Sequence, residues 1–461
     1  MALTSLTLAE AADLIAARKL SPVELTEAHL SRIEALDPKL TAFITVTPEL
    51  ALRQAREAER AIGRGEYRGP LHGAPLALKD LFDTQGVRTT AGGKFFAERL
   101  PEADSIVWQR LSAAGAILLG KLNMHEWALG VTTINPHYGT CKNPWALDRI
   151  TGGSSGGSGA ALAAQLCLGS MGSDTGGSIR IPSSLCGTVG LKPTYGRVSV
   201  RGVIPLSWNL DHTGPMGRRV RDVALLLQAV AGYDPDDAFS ANAPTDDYGA
   251  ALEGGVRGWR VALATGSHFA DADAEVLSAV REAARAFEQL GATVVETEFP
   301  GGQEAWAANG IMTPADAAAY HRERLQTRPE GFGADLLKRL QRGASFSSTE
   351  YALARHTQSR LRRQFEKFFD GFDLLLTPTT PIPAPVAEGL NSVETAPVLT
   401  RFVAPFNLTG LPALSLPCGF TESGLPIGLQ IVSHPWAEAR VLRAGYAFEQ
   451  ATEWRRRTPP L

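Results

Sequence analysis

Residues 7–65 alternate apolar and charged positions in the manner of amphipathic helices. Thr7, or Ser5 before it, is placed to cap the first helix. Ser21-Pro22 opens the second, since proline is tolerated in a helix's first turn. The run APLALK (74–79) is short and apolar, which predicts a buried strand. Residues 104–115 read as helix and AILL (116–119) as strand again. AALAAQLCL (160–168) begins as a helix former and turns into a buried strand. From 235 to 365 the chain is richer in charge and helical pattern, as in ADAEVLSAVREAARAFEQ (272–289), around a β-like segment at Trp259–Leu263. Leu374–Leu376 precedes a Pro/Thr loop, and Leu414–Leu416 and Ile427–Val432 follow as further strands. Short apolar strands alternating with helices predict an α/β fold, a mixed sheet with helices on both faces. No internal repeat interrupts this pattern.

Composition narrows the class without naming a function. The 461 residues are 44% hydrophobic and 20% charged, with a net charge of -3, so no excess of one sign calls for nucleic acid or an anionic membrane. The basic stretches at Arg360–Arg363 and Arg455–Arg457 are short and read as solvated faces. Cys141, Cys167, Cys186 and Cys418 form no C-x-x-C pair, which fits reduced thiols in a cytoplasmic protein. The first twenty residues are broken by Glu10, Asp13 and Arg18 and lack a signal-peptide core. No apolar run reaches membrane-spanning length. No metal or cofactor is expected.

The chemistry concentrates in TGGSSGGSGAALAA (151–164) and GSDTGGSIRIP (172–182). Each cluster abuts helical or apolar sequence, so both are tight turns inside a core rather than flexible linkers. Ile179 to Cys186 reads as a short helix with Pro182 in its first turn. That puts Ser178 at a helix N-terminus, where free N–H groups favour an oxyanion. A serine there is more often a cap than a nucleophile. Lys79 ends the run APLAL. Such a lysine usually extends to water, but if buried its amine loses charge and becomes a general base. GAILLGKL (115–122) fails as a phosphate loop, because its interior is a strand and Leu122 stands where a hydroxyl is required. GGSSG (152–156) matches a nucleophile elbow, leaving open an α/β-hydrolase with Ser154 or Ser155 attacking and His434 as base. Against it, Asp148-Arg149-Ile150-Thr151 makes a poor preceding strand.

Lys79, the GGSSGGSGAALAA block and SDTGGSIRIPSSLCGTVGLKPTYGRV (173–198) together resemble the amidase-signature family. So do KLNMHEWALG, NPHYGTCKNPW, LTPTTPIPAP and FNLTGLPALSLPCGF with GLPIGLQIV. The resemblance implies a Ser–Ser–Lys triad: Lys79 as base, Ser154 as relay (after a cis peptide bond) and Ser178 as nucleophile. It implies an oxyanion hole from the N–H groups of Thr175, Gly176, Gly177 and Ser178, with supporting roles for Ser155, Asp174 and Arg180. It also implies one domain over 1–461: N-terminal helices (1–65), a catalytic core (66–232), a variable helical substrate-side region (235–365) and the rest of the core (366–461). Trp127, Trp208, Trp306 and Met312 are candidate pocket residues. The expected activity is that of a stand-alone amidase, extending to esters or carbamates. Its partner would be a small-molecule amide, without membrane or nucleic acid, and a homodimer is among the implied assemblies. The alternative is the glutaminase subunit of a tRNA-dependent amidotransferase. For that reading Arg339 matches a carboxylate-binding arginine loosely, while Thr400 falls where that subunit supplies an aspartate.

Overall fold

The computed structural model describes residues 2–461. Eleven strands form one mixed sheet: β1 (Phe43–Val46), β2 (Pro75–Lys79), β3 (Ile117–Leu122), β4 (Gly169–Asp174), β5 (Val189–Lys192), β6 (His212–Gly217), β7 (Arg260–Thr265), β8 (Thr293–Glu298), β9 (Leu374–Pro378), β10 (Ala413–Phe420) and β11 (Pro426–Val432). Their order across the sheet is β1-β3-β2-β4-β6-β5-β10-β11-β9-β7-β8. β3, β2 and β4 run parallel, as do β9, β7 and β8, and antiparallel pairings join the two blocks.

Period-two alternation buries both faces of this sheet. In β2, Leu76 and Leu78 enter one core cluster while Ala77 enters another with Ile33, Ala51 and Ala160. In β9, Leu374 and Leu376 likewise face one cluster and Leu375 a different one rich in phenylalanine. The chain is therefore a single α/β domain with helices packed on both sides of the sheet.

The N-terminal helices begin where their capping residues stand. In α1 (Leu8–Ala16) Thr7 and Glu10 form a reciprocal capping box. In α2 (Pro22–Leu40) the Ser21 hydroxyl accepts from Val23 and Glu24 N–H. α3 (Pro48–Gly63) completes this layer. Two strands defy the sequence pattern. The strand expected within 160–168 starts only at Gly169: α4 (Gly156–Ala163) ends first, and the strand itself reads GSMGSD. β6 reads HTGPMG. Glycine, serine and proline are poor strand signals, and neighbouring strands impose the extended backbone here. The 235–365 stretch contributes β7 and β8 to the sheet besides its helices. Ala146–Ile150 is also a strand, though it lies outside the large sheet, in a hairpin with Lys142–Asn143 and a bridge from Arg149 to Val386.

Candidate active site

Lys79 is the last residue of β2, and Ser173 lies near the end of the adjacent parallel β4. The carboxyl ends of neighbouring strands are where open α/β sheets form crevices. The loop of the first glycine-serine block lies across these ends, and its Gly153–Ser154 peptide bond is cis. Lys79 Nζ lies 2.7 Å from Ser154 Oγ and 2.8 Å from Ser173 Oγ. The lysine is 0% exposed. Burial pulls its pKa down from 10.5 to about 7, although the charges of Asp174 and Asp211 work against the shift.

Ser178 lies in the turn between β4 and α5 (Arg180–Cys186) and is 5% exposed. Ser155 ties the two loops together: its N–H donates to Ser178 C=O at 3.2 Å and its hydroxyl to Ser173 C=O at 3.3 Å. Gly177 has φ of 126°, and a Cβ there would lie 2.3 Å from Val403 Cγ2, so only glycine fits this turn.

The free N–H groups beside Ser178 differ in origin from the helix-terminus expectation. The Asp174 carboxylate already accepts from Ile179 N–H at 3.1 Å and Arg180 N–H at 3.4 Å, which occupies the start of α5. It also accepts from Gly177 N–H at 2.7 Å, so that group points away from a substrate. Among the described residues, the N–H groups of Thr175, Gly176 and Ser178 have no hydrogen-bond partner. The remaining donors are thus those of the turn itself.

Arg180 holds the underside of that turn. Its guanidinium is fully buried and donates to both Asp174 oxygens, to Val403 C=O, to Gln430 Oε1 and to Asn407 Oδ1. Burial alone would raise the Asp174 pKa, but Arg180 outweighs it and holds the carboxylate well below its usual range. Further along the chain come α6 (Gly302–Tyr320), α7 (Ala334–Ser345), α8 (Ser392–Thr400) and α9 (Ala404–Thr409). Asn407 of α9 also donates to Asp174 Oδ1, at 2.7 Å.

A cavity of about 500 Å³ opens onto Ser178, Thr175 and Gly176. α6 lines it with Trp306, Asn309 and Ile311, α8 with Ala396 and Thr400, and α7 with Lys338, Arg339 and Arg342. Of the four candidate pocket residues only Trp306 reaches this wall. Met312 faces the opposite side of α6 and packs in the phenylalanine core. Trp127 is buried under Arg324, 5.3 Å from its ring, and Trp208 is 40% exposed beside a different groove. Helical phase and loop position decide these placements, and neither is legible from residue type. His434 is exposed and its ring bonds to its neighbour's carbonyl, so it does not stand as a base behind Ser154 or Ser155.

Several site residues escaped the sequence reading. Ser173 had a signal, since it adjoins Asp174 in the same motif. Asn309 donates to Thr175 C=O at 3.1 Å, and Asp211 accepts from Thr175 Oγ1 at 2.6 Å. His125 joins the catalytic loop to the pocket wall: its N–H donates to Ser154 C=O at 3.1 Å, and Nε2 lies 3.1 Å from Asp335 of α7. These three come from segments distant in the chain; His125 lies in the KLNMHEWALG segment, while no local pattern marks Asn309 or Asp211.

The family model described as Amidase matches residues 24–442. A glutamyl-tRNA(Gln) amidotransferase subunit of Moorella thermoacetica is 42% identical, covering 100% of this chain and 99% of that protein. The solved structure of the Thermotoga maritima subunit of the same name is 32% identical with a TM-score of 0.83, covering 97% of this chain and 95% of that one. A chain from a vestigial protein complex, described in relation to the origins of an s-triazine catabolic enzyme, is 37% identical with a TM-score of 0.92, covering 96% and 98%. Full-length likeness to amidotransferase subunits overturns the expectation of a stand-alone amidase, and with it that of a small-molecule amide as sole partner. The reason is physical: the motifs that suggested a free amidase belong to a catalytic core both kinds of protein share. With its two serines gathered on one buried lysine and its likeness running from end to end, the chain belongs to the amidase family and acts on carbon–nitrogen amide bonds.

Proposed function

We propose that this chain is the amide-hydrolysing subunit of a glutamyl-tRNA(Gln) amidotransferase, releasing ammonia from glutamine for use by partner subunits on the charged tRNA. The contact that carries the chemistry is Lys79 Nζ at 2.7 Å from Ser154 Oγ, with the amine's pKa near 7. The full-length relatives named for that amidotransferase support the assembly.

The neutral Lys79 amine accepts a proton from Ser154, which accepts one from Ser178. Ser178 Oγ attacks the amide carbon. The oxyanion is held by the N–H groups of Thr175, Gly176 and Ser178, each worth about 2.7–4 kcal/mol to the transition state. Ser154 returns a proton to the departing nitrogen, and ammonia leaves. Water then repeats the sequence on the acyl-Ser178 ester and frees the acid. The hydroxyl relay serves both steps because it can give or take a proton without carrying charge itself. Ser173, the second hydroxyl on Nζ, orients the amine's lone pair toward Ser154.

The cavity supports a carboxylate-bearing donor. Lys338, Arg339 and Arg342 line one wall, and no carboxylate lines the cavity among the described residues. Arg339 is braced by Asp335 at 2.6 Å and by Ser392 C=O at 2.6 Å. It supplies a planar fork for the donor's carboxylate. Thr400, lacking the aspartate's charge, offers its hydroxyl to the α-amino group.

The test is transamidation of glutamyl-tRNA(Gln) by this chain assembled with its partner subunits. Glutamine should support the reaction with wild type but not with Ser178→Ala, while added ammonia should restore product in the variant. Failure of the assembled wild type to use glutamine, with ammonia used normally, would overturn the assignment.

A further inference from the structure

A second cavity, of about 450 Å³, lies away from the catalytic pocket and shares none of its lining residues. Arg218, Arg219, Arg455, Arg456 and Arg457 line it, together with Thr188. The sheet fixes where it is. Arg218 and Arg219 directly follow β6, whose Gly217 pairs with Gly169 at the start of β4 and with Val189 at the start of β5. Ser173 and the catalytic turn stand at the other end of β4. Five strand steps separate the two ends, roughly 17 Å of extended chain. The arginine cavity therefore opens on the opposite edge of the sheet.

Its polar groups are not used up by the protein. Thr188 is 1% exposed, and its hydroxyl has no hydrogen-bond partner among the described residues. The Arg218 Nε is also buried without a partner, while its other nitrogens donate to Ser5 and Leu6 carbonyls. Arg219 donates to Arg218 C=O and Arg455 to Gln450 Oε1, both neutral acceptors. Within 4 Å only Arg456 has an acidic partner among the described residues, Glu453 at 2.6 Å; the buried Asp222 and Glu449 act on Arg218, Arg219 and Arg455 from further off. The one carboxylate on the wall, Glu10, is turned into its own capping box with Thr7. A chain with a net charge of -3 thus gathers five guanidinium groups around one hollow. Guanidinium groups recognise phosphate oxygens in pairs, and several close together repel one another until an anion of matching charge enters.

We propose that this cavity is a second binding site, for a compact polyphosphate anion of the kind a nucleoside diphosphate carries. The four arginines without an ion pair within 4 Å exceed what one phosphate neutralises, and a compact hollow suits a terminal diphosphate better than the long groove that a nucleic-acid backbone follows. This site stands independently of the amidotransferase reading.

Titration calorimetry of the full chain with inorganic pyrophosphate, and separately with ADP, at constant ionic strength tests the site. Wild type should bind pyrophosphate, and Arg455→Ala/Arg457→Ala should weaken binding roughly tenfold or more without changing amide hydrolysis. Thr188→Val, which keeps shape and removes only the hydroxyl, should weaken it several-fold. ADP binding at least as tightly as pyrophosphate identifies the source as a nucleotide; pyrophosphate alone identifies the free anion. Absence of pyrophosphate binding by wild type overturns the proposal, as does binding that both variants retain in full. Loss of tRNA binding in the arginine variant, with no pyrophosphate binding by wild type, gives the surface to nucleic acid instead.

Discussion

Among the described residues three lysines are completely buried, and what their amines touch differs. Lys121 donates to Phe82 C=O and Thr89 Oγ1 beside Asp80, and Lys192 donates to two main-chain carbonyls. Lys79 alone faces two hydroxyls. Burial lowers all three pKa values, so burial by itself does not mark a base; what the amine touches does. The shift has a thermodynamic consequence. Folded Lys79 is neutral above about 7, while the unfolded lysine stays protonated up to about 10.5. Between these values unfolding takes up a proton, so this group makes stability rise with pH, by at most about 1.4 kcal/mol per pH unit. Below about 7 both states hold the proton and the penalty is complete. Lys79→Met should therefore lose activity, keep its fold, and be flatter than wild type in stability against pH across this window, measured by urea unfolding. Equal slopes for the two proteins would show that the folded amine keeps its proton. At this scale Ser154 and Ser178 stand out in the sequence because each sits in a dense glycine-serine motif, whereas Lys79, at the end of a short apolar run, stands out only through the family resemblance. Ser173 was overlooked because a hydroxyl beside an aspartate looks like turn chemistry.

At the scale of elements, the catalytic turn is held from below and its substrate wall from the side. Asp174 and Arg180 form a fully buried pair that draws in Asn407, Gln430 and Val403 from the C-terminal quarter of the chain. Arg180→Met leaves the Asp174 charge unpaired in the core and should cost about 3–5 kcal/mol in chemical unfolding. A cost below about 1 kcal/mol would mean that Asp174 is solvated some other way. The wall is carried by α6, α7 and α8, and there the predictions concern KM. Arg339→Ala should raise KM for a carboxylate-bearing amide roughly tenfold while changing a neutral amide little. Equal losses on both substrates would reduce Arg339 to a brace for Asp335. Thr400→Asp should favour glutamine over its analogue lacking the α-amino group, read from the ratio of their kcat/KM values. The capped N-terminal helices and the apolar strands β2, β3 and β9 were plain in the sequence. β4 and β6 were not, because their glycines, serines and proline carry no strand preference and become strands only between partners. The start of α5 also misled, since the carboxylate that caps it is invisible to helix-terminus reasoning.

At the scale of the molecule, the mixed sheet brings residues 79, 154, 173 and 178 to one edge and the arginine cavity to the other. That the chain is α/β followed from alternation of strand and helix patterns. The order of eleven strands did not, because long-range pairing leaves no local trace. Nor did the choice between a free amidase and a member of a complex, since both share the catalytic core. What unites these levels is the proposal that the buried Lys79 amine activates Ser178 through Ser154. The rate of covalent labelling of Ser178 by a fluorophosphonate, followed by intact mass from pH 5 to 9, tests it directly. The rate should climb through about pH 7 and then level, with Lys79→Ala unreactive throughout. A rate independent of pH, or label found on a residue other than Ser178, would contradict it.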